Sequence, residues 1–108
     1  MNIDEIRQLI REGRYEINLH AQQERLDDDL DILEIETAIA HGEIIEDYSN
    51  DPRGASCLVA GQVGAKSVHA VVGWARKRDG SERALRVITV YRPQPPKWKD
   101  YRTRGDNP

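Results

Sequence analysis

The chain has a single cysteine, Cys57, among its 108 residues, and it lacks several other common signals. One thiol excludes an internal disulfide and a zinc site built from four cysteines. No apolar run approaches the ~20 residues that a membrane-spanning helix needs. Residues 1–10 lack the basic and then apolar pattern of a secretion signal. We therefore expect a cytoplasmic protein with no membrane partner.

Motifs that hold cofactors are also missing. The sequence has no glycine-rich phosphate loop and no Gly-x-Ser-x-Gly nucleophile motif. His20 and Glu24 stand one helical turn apart, but no second pair has the spacing of metal ligands. We therefore predict no cofactor and no metal site. Cys57 lies in an apolar stretch and is interpreted as a small buried hydrophobic residue.

The charge is distributed unevenly along the chain. Residues 1–54 contain 5 Lys and Arg against 15 Asp and Glu, whereas residues 55–108 contain 11 against 4, and the total is −3. Such asymmetry can indicate a basic face for nucleic acid beside an acidic remainder. Alternatively, acids of the first half neutralise bases of the second half in the fold. The acidic total itself speaks against nucleic acid as a partner.

The apolar spacing of residues 1–42 predicts three helices, and the chain length fits one domain over residues 1–108. The first helix begins at Asn2 or Asp4 and ends near Glu12, before Gly13. The second has Asn18 as its N-cap and runs from Leu19 to about Asp28. The third runs from Ile32 to His41 and stops at Gly42. On the second helix one side carries Leu19, Gln22, Gln23 and Leu26, and a neighbouring side carries His20, Glu24 and Asp27.

After Gly42 the pattern changes to that of strands. Short loops between successive strands favour an antiparallel meander. Residues 15–18 are predicted as a short extended link only. The fold prediction is thus α+β, with the N-terminal helices on one face of a four-stranded antiparallel sheet. The predicted strands are Glu43–Ser49, Ala55–Gln62, Ser67–Arg76 and Arg83–Arg92, with turns at Gly61–Gly64 and Lys77–Gly80.

The pairing of the last two strands has two possible registers. A two-residue turn at Asp79-Gly80 would place Thr89 and Tyr91 on the core face, with His69 on the opposite face. A longer loop or a bulge would instead place His69 on the same face as Thr89 and Tyr91. The sequence leaves this choice open.

Several short signals together resemble a known family. They are His20-Ala21 with Arg25, HGEIIEDY at 41–48, CLVAG at 57–61, VHAVV at 68–72, ITVY at 88–91, and Pro93 before Trp98. Their order resembles the domain of unknown function 4258 family, over about residues 19–104, with residues 1–14 as an extra N-terminal helix. That family looks similar to RelE/ParE-like toxins and to the wider group of small ribonucleases with helices packed on a four-stranded antiparallel sheet. The resemblance implies a RelE/ParE-like fold, RNA as a substrate and a cognate antitoxin as a partner.

Metal-free RNA cleavage needs proton-transfer groups and donors for the phosphate charge. His20 and His69 titrate in the right range for proton transfer. The predicted catalytic set is therefore His20, Arg25, His69, Thr89 and Tyr91. The predicted substrate-binding set is Arg86 and Arg92, which suit phosphate, and Trp98, which suits base stacking.

Each candidate also has a structural interpretation. His20 can serve a helix start, His69 can be a satisfied sheet residue, and Arg25 can pair with the acids at 27–29. Thr89 and Tyr91 are good strand formers, and Trp98 can anchor the tail. Two functional hypotheses follow: a ribonuclease resembling a toxin component, and a non-catalytic protein interaction module with the same fold.

Overall fold

In the computed structural model, three helices pack on one face of a five-stranded sheet, and the described residues are 1–75, 83–100 and 102–105. The helices are α1 (Ile3–Arg11), α2 (Leu19–Asp27) and α3 (Ile32–His41). The strands are β1 (Tyr15–Ile17), β2 (Glu43–Tyr48), β3 (Ser56–Val63), β4 (Lys66–Trp74) and β5 (Leu85–Tyr91). The α+β class and the order of helices before the main strands are confirmed.

Local capping explains where the helices begin. The side chain of Asn2 accepts hydrogen bonds from the first turn of α1, and Asn18 does the same for α2. Asp31 and Glu34 form a reciprocal capping box at the start of α3, which satisfies two backbone donors. Gly13 follows α1 with φ 70°, a conformation that glycine adopts without strain. The three predicted helices are thus confirmed to within one or two residues.

The sheet corrects the prediction of four antiparallel strands. Tyr15–Ile17, which was expected to be a link, forms β1 and pairs in parallel with Leu85–Val87 of β5. The sheet is therefore mixed, with the order β1-β5-β4-β3-β2. In the predicted meander, β5 would have been an unpaired edge strand, and β1 covers the first part of it. The β3–β4 turn is also shorter than predicted, because β3 continues to Val63 and pairs there with Lys66.

A bulge in β5 determines which side chains share a face. Near the turn, Val72 pairs with Val87, as the two-residue turn would require, but beyond the irregularity Val71 pairs with Thr89 and His69 with Tyr91. The extra residue shifts the later part of β5 by one position, so His69 and Tyr91 lie on the same face of the sheet. The predicted turn at Asp79-Gly80 itself lies outside the described residues.

The core lies between the helices and the sheet. Ile6, Ile35 and Ile39 of the helices meet apolar residues of β3, β4 and β5 there. Cys57 is fully buried in this core, and burial raises the pKa of its thiol to about 11, so its interpretation as a buried hydrophobic residue is confirmed. Gly61 of β3 allows α3 to approach the sheet closely, because a Cβ at this position would lie 2.1 Å from the carbonyl oxygen of Ala38.

Helix α2 is attached to the sheet through acidic side chains rather than apolar ones. The backbone N–H of Val90 donates to Oε1 of Glu24 at 3.1 Å, and that of Arg92 donates to Oδ2 of Asp28 at 2.7 Å. Val90 lies in the part of β5 beyond its pairing with β1, and Arg92 directly follows β5. Four residues of helix rise about 6.0 Å, and two residues of extended chain rise about 6.6 Å, so the spacing of the two carboxylates matches that of these two donors.

The acidic and basic halves of the chain neutralise each other across the fold. Five cations of the second half contact carboxylates of the first half at 3.3 Å or less. These contacts support the interpretation that acids of the first half neutralise bases of the second half in the fold. These contacts are Lys66–Glu34, Arg83–Glu5, Arg86–Glu16, Arg102–Glu43 and Arg104–Glu46.

Candidate functional site

The face of the sheet opposite the helices is partly covered by residues 93–100 and 102–105, which we call the tail. Trp98 is only 2% exposed and packs with its ring edge-on to the imidazole of His69, at 4.3 Å between centroids. His69 itself is 0% exposed. Its ring also meets that of Tyr91, and Nδ1 lies 3.2 Å from the Tyr91 hydroxyl oxygen, within hydrogen-bonding distance. The tail therefore encloses the imidazole that the sequence marked as a candidate for proton transfer.

An arginine clamp holds the tail in this position. The Arg104 guanidinium stacks over the Trp98 ring, at 4.5 Å from its centroid. The same guanidinium donates two hydrogen bonds to the Glu46 carboxylate, at 2.8 and 2.9 Å. Arg104 lowers the pKa of Glu46, and the Tyr48 hydroxyl donates a further hydrogen bond to that carboxylate. Trp98 is thus the anchor of the tail, and its enclosed ring is not open to a nucleobase.

A cleft of about 420 Å³ lies between the tail, the end of β5 and α2, and we call it the tail cleft. Burial raises the pKa of the Tyr91 hydroxyl, while the Trp98 indole and the Arg104 charge act in the opposite direction. Nζ of Lys97 lies 5.9 Å from the centroid of the Tyr91 ring. The tail cleft is lined by Glu24, Thr89, Tyr91, Arg92, Gln94, Pro95, Lys97 and Trp98.

Helix α2 brings His20 to the edge of this cleft. Nε2 of His20 lies 3.2 Å from Oε1 of Glu24, one helical turn later, and the His20 side chain is 66% exposed. The same carboxylate oxygen accepts the N–H of Val90 and lines the cleft. His20 is thus an exposed imidazole paired with a partly buried carboxylate that lines the tail cleft.

Two predicted site residues lie elsewhere. Arg25 donates to the Gln22 side chain at 2.6 Å and to the carbonyl of Leu30 at 3.2 Å, so it ties α2 to the loop that follows. These partners replace the acids at 27–29 that its structural interpretation named. Arg86 donates to Glu16 of β1 at 2.6 Å. Both guanidinium groups thus have structural partners, and the described contacts join neither of them to His20 or His69.

A larger groove of about 710 Å³ lies on the same face of the sheet, toward the start of β5. Arg86 and Thr89 line it together with Tyr48 and Trp74. Its second cation, Arg53, is bound by Asp51, and this contact lowers the pKa of that carboxyl to about 2. Its two arginines are therefore matched by carboxylates, whereas the tail cleft has two cations with no ion pair among the described residues, Arg92 and Lys97.

Sequence reasoning missed two charged members of the tail cleft, Glu24 and Lys97. Glu24 was considered only as a metal ligand, because nothing local indicates that its carboxylate meets β5. Lys97 precedes Trp98 in a basic tail, and only the folding of that tail over Tyr91 gives it a place in the site. Within the described ranges, no three His, Cys, Asp or Glu side chains come close enough together to hold a metal ion.

Comparison with known proteins identifies the family of the chain. No curated protein and no solved structure matches it. In the described part of the chain, no helix is long and apolar enough to cross a membrane. The model of the domain of unknown function 4258 family matches residues 17–92, which include the last residue of β1, helices α2 and α3, and all of β2 to β5. Helix α1 and the tail with Trp98 lie outside the match. Because the match covers well over half of its residues, the chain belongs to the domain of unknown function 4258 family.

Proposed function

We propose that the protein is a metal-independent ribonuclease, similar to RelE/ParE-like toxins, and that the tail cleft is its site. The observation that carries this proposal is the convergence of predicted residues at one cleft. Thr89, Tyr91 and Arg92 line the cleft directly. His20 contacts Glu24, which also lines the cleft, and His69 lies within hydrogen-bonding distance of the Tyr91 hydroxyl.

Arg92 and Lys97 are suited to hold the phosphate. Neither makes an ion pair among the described residues, whereas five other cations of the second half are bound by acids. Charge-assisted hydrogen bonds to a phosphate oxygen are about twice as strong as neutral ones. An RNA backbone in the tail cleft would thus meet cations that do not first have to leave a protein carboxylate.

The proton transfers can be assigned from the contacts. His20, supported by Glu24, takes the proton of the ribose 2′-OH, and the 2′-oxygen then attacks the adjacent phosphorus. The bond from phosphorus to the 5′-oxygen breaks, and the hydroxyl of Tyr91 donates its proton to that leaving oxygen. Burial keeps this hydroxyl protonated by raising its pKa. His69, at 3.2 Å, orients the hydroxyl and is placed to return a proton to it.

The test compares two tyrosine variants of purified protein on a single-stranded oligoribonucleotide. Tyr91→Phe keeps the ring but removes the proton donor, so cleavage should fall by about 10²–10⁴-fold, as for loss of a general acid. Tyr15→Phe is the matched control, because its hydroxyl binds Glu36 on the helix side of the sheet. Products should carry a 2′,3′-cyclic phosphate and a 5′-hydroxyl, and EDTA should not stop the reaction. Equal cleavage by wild type and Tyr91→Phe would refute the assignment.

A non-catalytic interaction module is the second candidate function. The full burial of His69 and the ion pairing of Arg86 and Arg104 favour it, because these groups then serve the fold. Induced expression of the wild type and of a His20→Ala/His69→Ala variant separates the two candidates. Growth arrest and RNA cleavage by wild type alone supports the ribonuclease. Intact RNA and normal growth with both folded proteins supports the module.

A further inference from the structure

Helix α2 presents its leucines to solvent. Leu19 is 73% exposed and Leu26 is 67% exposed, and their spacing of seven residues places them on the same side of the helix. Gln23, also exposed, lies between them. Ala21 is the one residue of α2 that is fully buried, whereas α1 and α3 each bury three residues, all of them apolar. We call Leu19, Gln23 and Leu26 the leucine face.

The hydrogen bonds of α2 fix this orientation. On the opposite side of the helix, Glu24 accepts the N–H of Val90 in β5, and Asp28 accepts that of Arg92 just after β5. Rotating α2 to bury the leucine face would leave these donors without acceptors and bring two carboxylates into solvent. The leucines are thus exposed because of the way in which α2 is attached. Since the attachment fixes the helix, the leucine face is held in a position in which a partner can bind it.

The charges around the leucine face are acidic. Asp27, next to Leu26, and Asp29, in the following loop, are exposed and make no ion pair with any described residue. Of the nearby cations, Arg25 is turned toward Gln22 and the carbonyl of Leu30. Lys66 donates to the backbone carbonyl of Asp29, and its ion pair is with Glu34 and not with the Asp29 side chain. A basic partner is therefore electrostatically favoured, whereas a second copy of this chain would bring a like-charged surface to it.

We propose that the leucine face docks a basic amphipathic helix of a partner protein. Apolar side chains of that helix would pack between Leu19 and Leu26, as ridges pack into grooves between two helices. Its Lys or Arg residues would lie beside Asp27 and Asp29. The surface is separate from the residues that line the tail cleft, so it provides for association and not for chemistry.

The test uses a labelled synthetic helix with leucines on one side and lysines on the other. Its binding to the intact protein is followed by fluorescence anisotropy. Leu19→Ser/Leu26→Ser should weaken binding about tenfold or more, as for loss of apolar anchors at an interface. Leu33→Ser is the matched control, because Leu33 is 69% exposed but belongs to α3, and it should leave binding unchanged. RNA cleavage should be the same in both variants.

The electrostatic part is tested separately. Asp27→Asn/Asp29→Asn should weaken binding and reduce its dependence on salt, and a peptide with glutamates in place of the lysines should not bind. The proposal is overturned if the glutamate peptide binds equally well, if Leu33→Ser has the same effect as the double serine variant, or if no binding occurs. Sedimentation of the protein alone tests whether two copies associate through the leucine face. If the wild type is a dimer and the Leu19→Ser/Leu26→Ser variant is a monomer, a second copy of the chain binds this face, and the proposal of a basic partner is refuted.

Discussion

Replacing Asp28 with alanine should destabilise the protein, whereas replacing its neighbour Asp27 should not. Asp28 accepts the N–H of Arg92 at 2.7 Å, but Asp27 is exposed and has no hydrogen bond to β5 among the described contacts. The two variants remove the same charge from adjacent positions at the same end of α2. Their difference therefore isolates the bond between the helix and the strand.

The magnitude follows from two opposing contributions. A hydrogen bond to a charged group contributes about 1.5–3 kcal/mol. Asp28 is the C-cap residue of α2, where a negative charge costs about 0.3–1 kcal/mol. The expected loss for Asp28→Ala is therefore about 1–2 kcal/mol, against less than about 0.5 kcal/mol for Asp27→Ala. Asp28→Asn keeps an acceptor oxygen without the charge and should fall between these values.

Urea unfolding provides the assay. With an m value of about 1–1.5 kcal/mol/M, the midpoint for Asp28→Ala should fall by about 1 M at unchanged slope. The amide proton of Arg92 should also exchange faster with solvent in this variant alone. Equal midpoints for Asp27→Ala and Asp28→Ala would refute the reasoning that carboxylates attach α2 to the sheet.

Three further outcomes test other parts of the fold. Gly61→Ala should cost about 1–3 kcal/mol, because its Cβ would lie 2.1 Å from a backbone oxygen of α3, and an unchanged urea midpoint would contradict this. Asp29→Gly should stabilise the protein by about 0.5–1 kcal/mol, since Asp29 has φ 55°, and a lower midpoint would contradict it. Burial and the bond to Glu36 raise the pKa of Tyr15 to about 12, so the stabilisation that this residue provides is complete below about pH 10 and is lost as the pH rises through 12. Because the pKa of Tyr48 is also raised to about 12, Tyr15→Phe should lower the amplitude of the phenolate absorbance step near pH 12 without removing it, and an undiminished step would contradict the assignment.

The helices were predictable because their signals are local. Asn18 and Asp31 are capping residues that stand immediately before an apolar pattern, and each starts a helix as predicted. By contrast, β1 has only three residues, and its pairing with β5 joins positions 70 residues apart. No local pattern carries that information.

The site was predictable in part for the same reason. Thr89 and Tyr91 alternate along a strand with clear ends, so they had to share one face. Whether His69 joined them depended on one extra residue in β5, and a bulge of this kind has no signature in the alternation of a β-branched strand. Arg86 was predicted for phosphate, but its acidic partner Glu16 comes from the distant first half of the chain.

The orientation of α2 connects the two proposals. Residues two apart on a helix project about 200° from each other, so Leu26 points away from both Glu24 and Asp28. Burying the leucine face would therefore take Glu24 from β5 and His20 from the edge of the tail cleft. Apolar packing alone would favour burial of the leucines, yet the carboxylates hold the helix the other way. Folds depart from such local preferences mainly at functional sites, where the site requires a different arrangement. Under the two proposals, one helix meets this requirement, because it places the Glu24 carboxylate in the cleft, with His20 paired to it, and turns an apolar side to solvent.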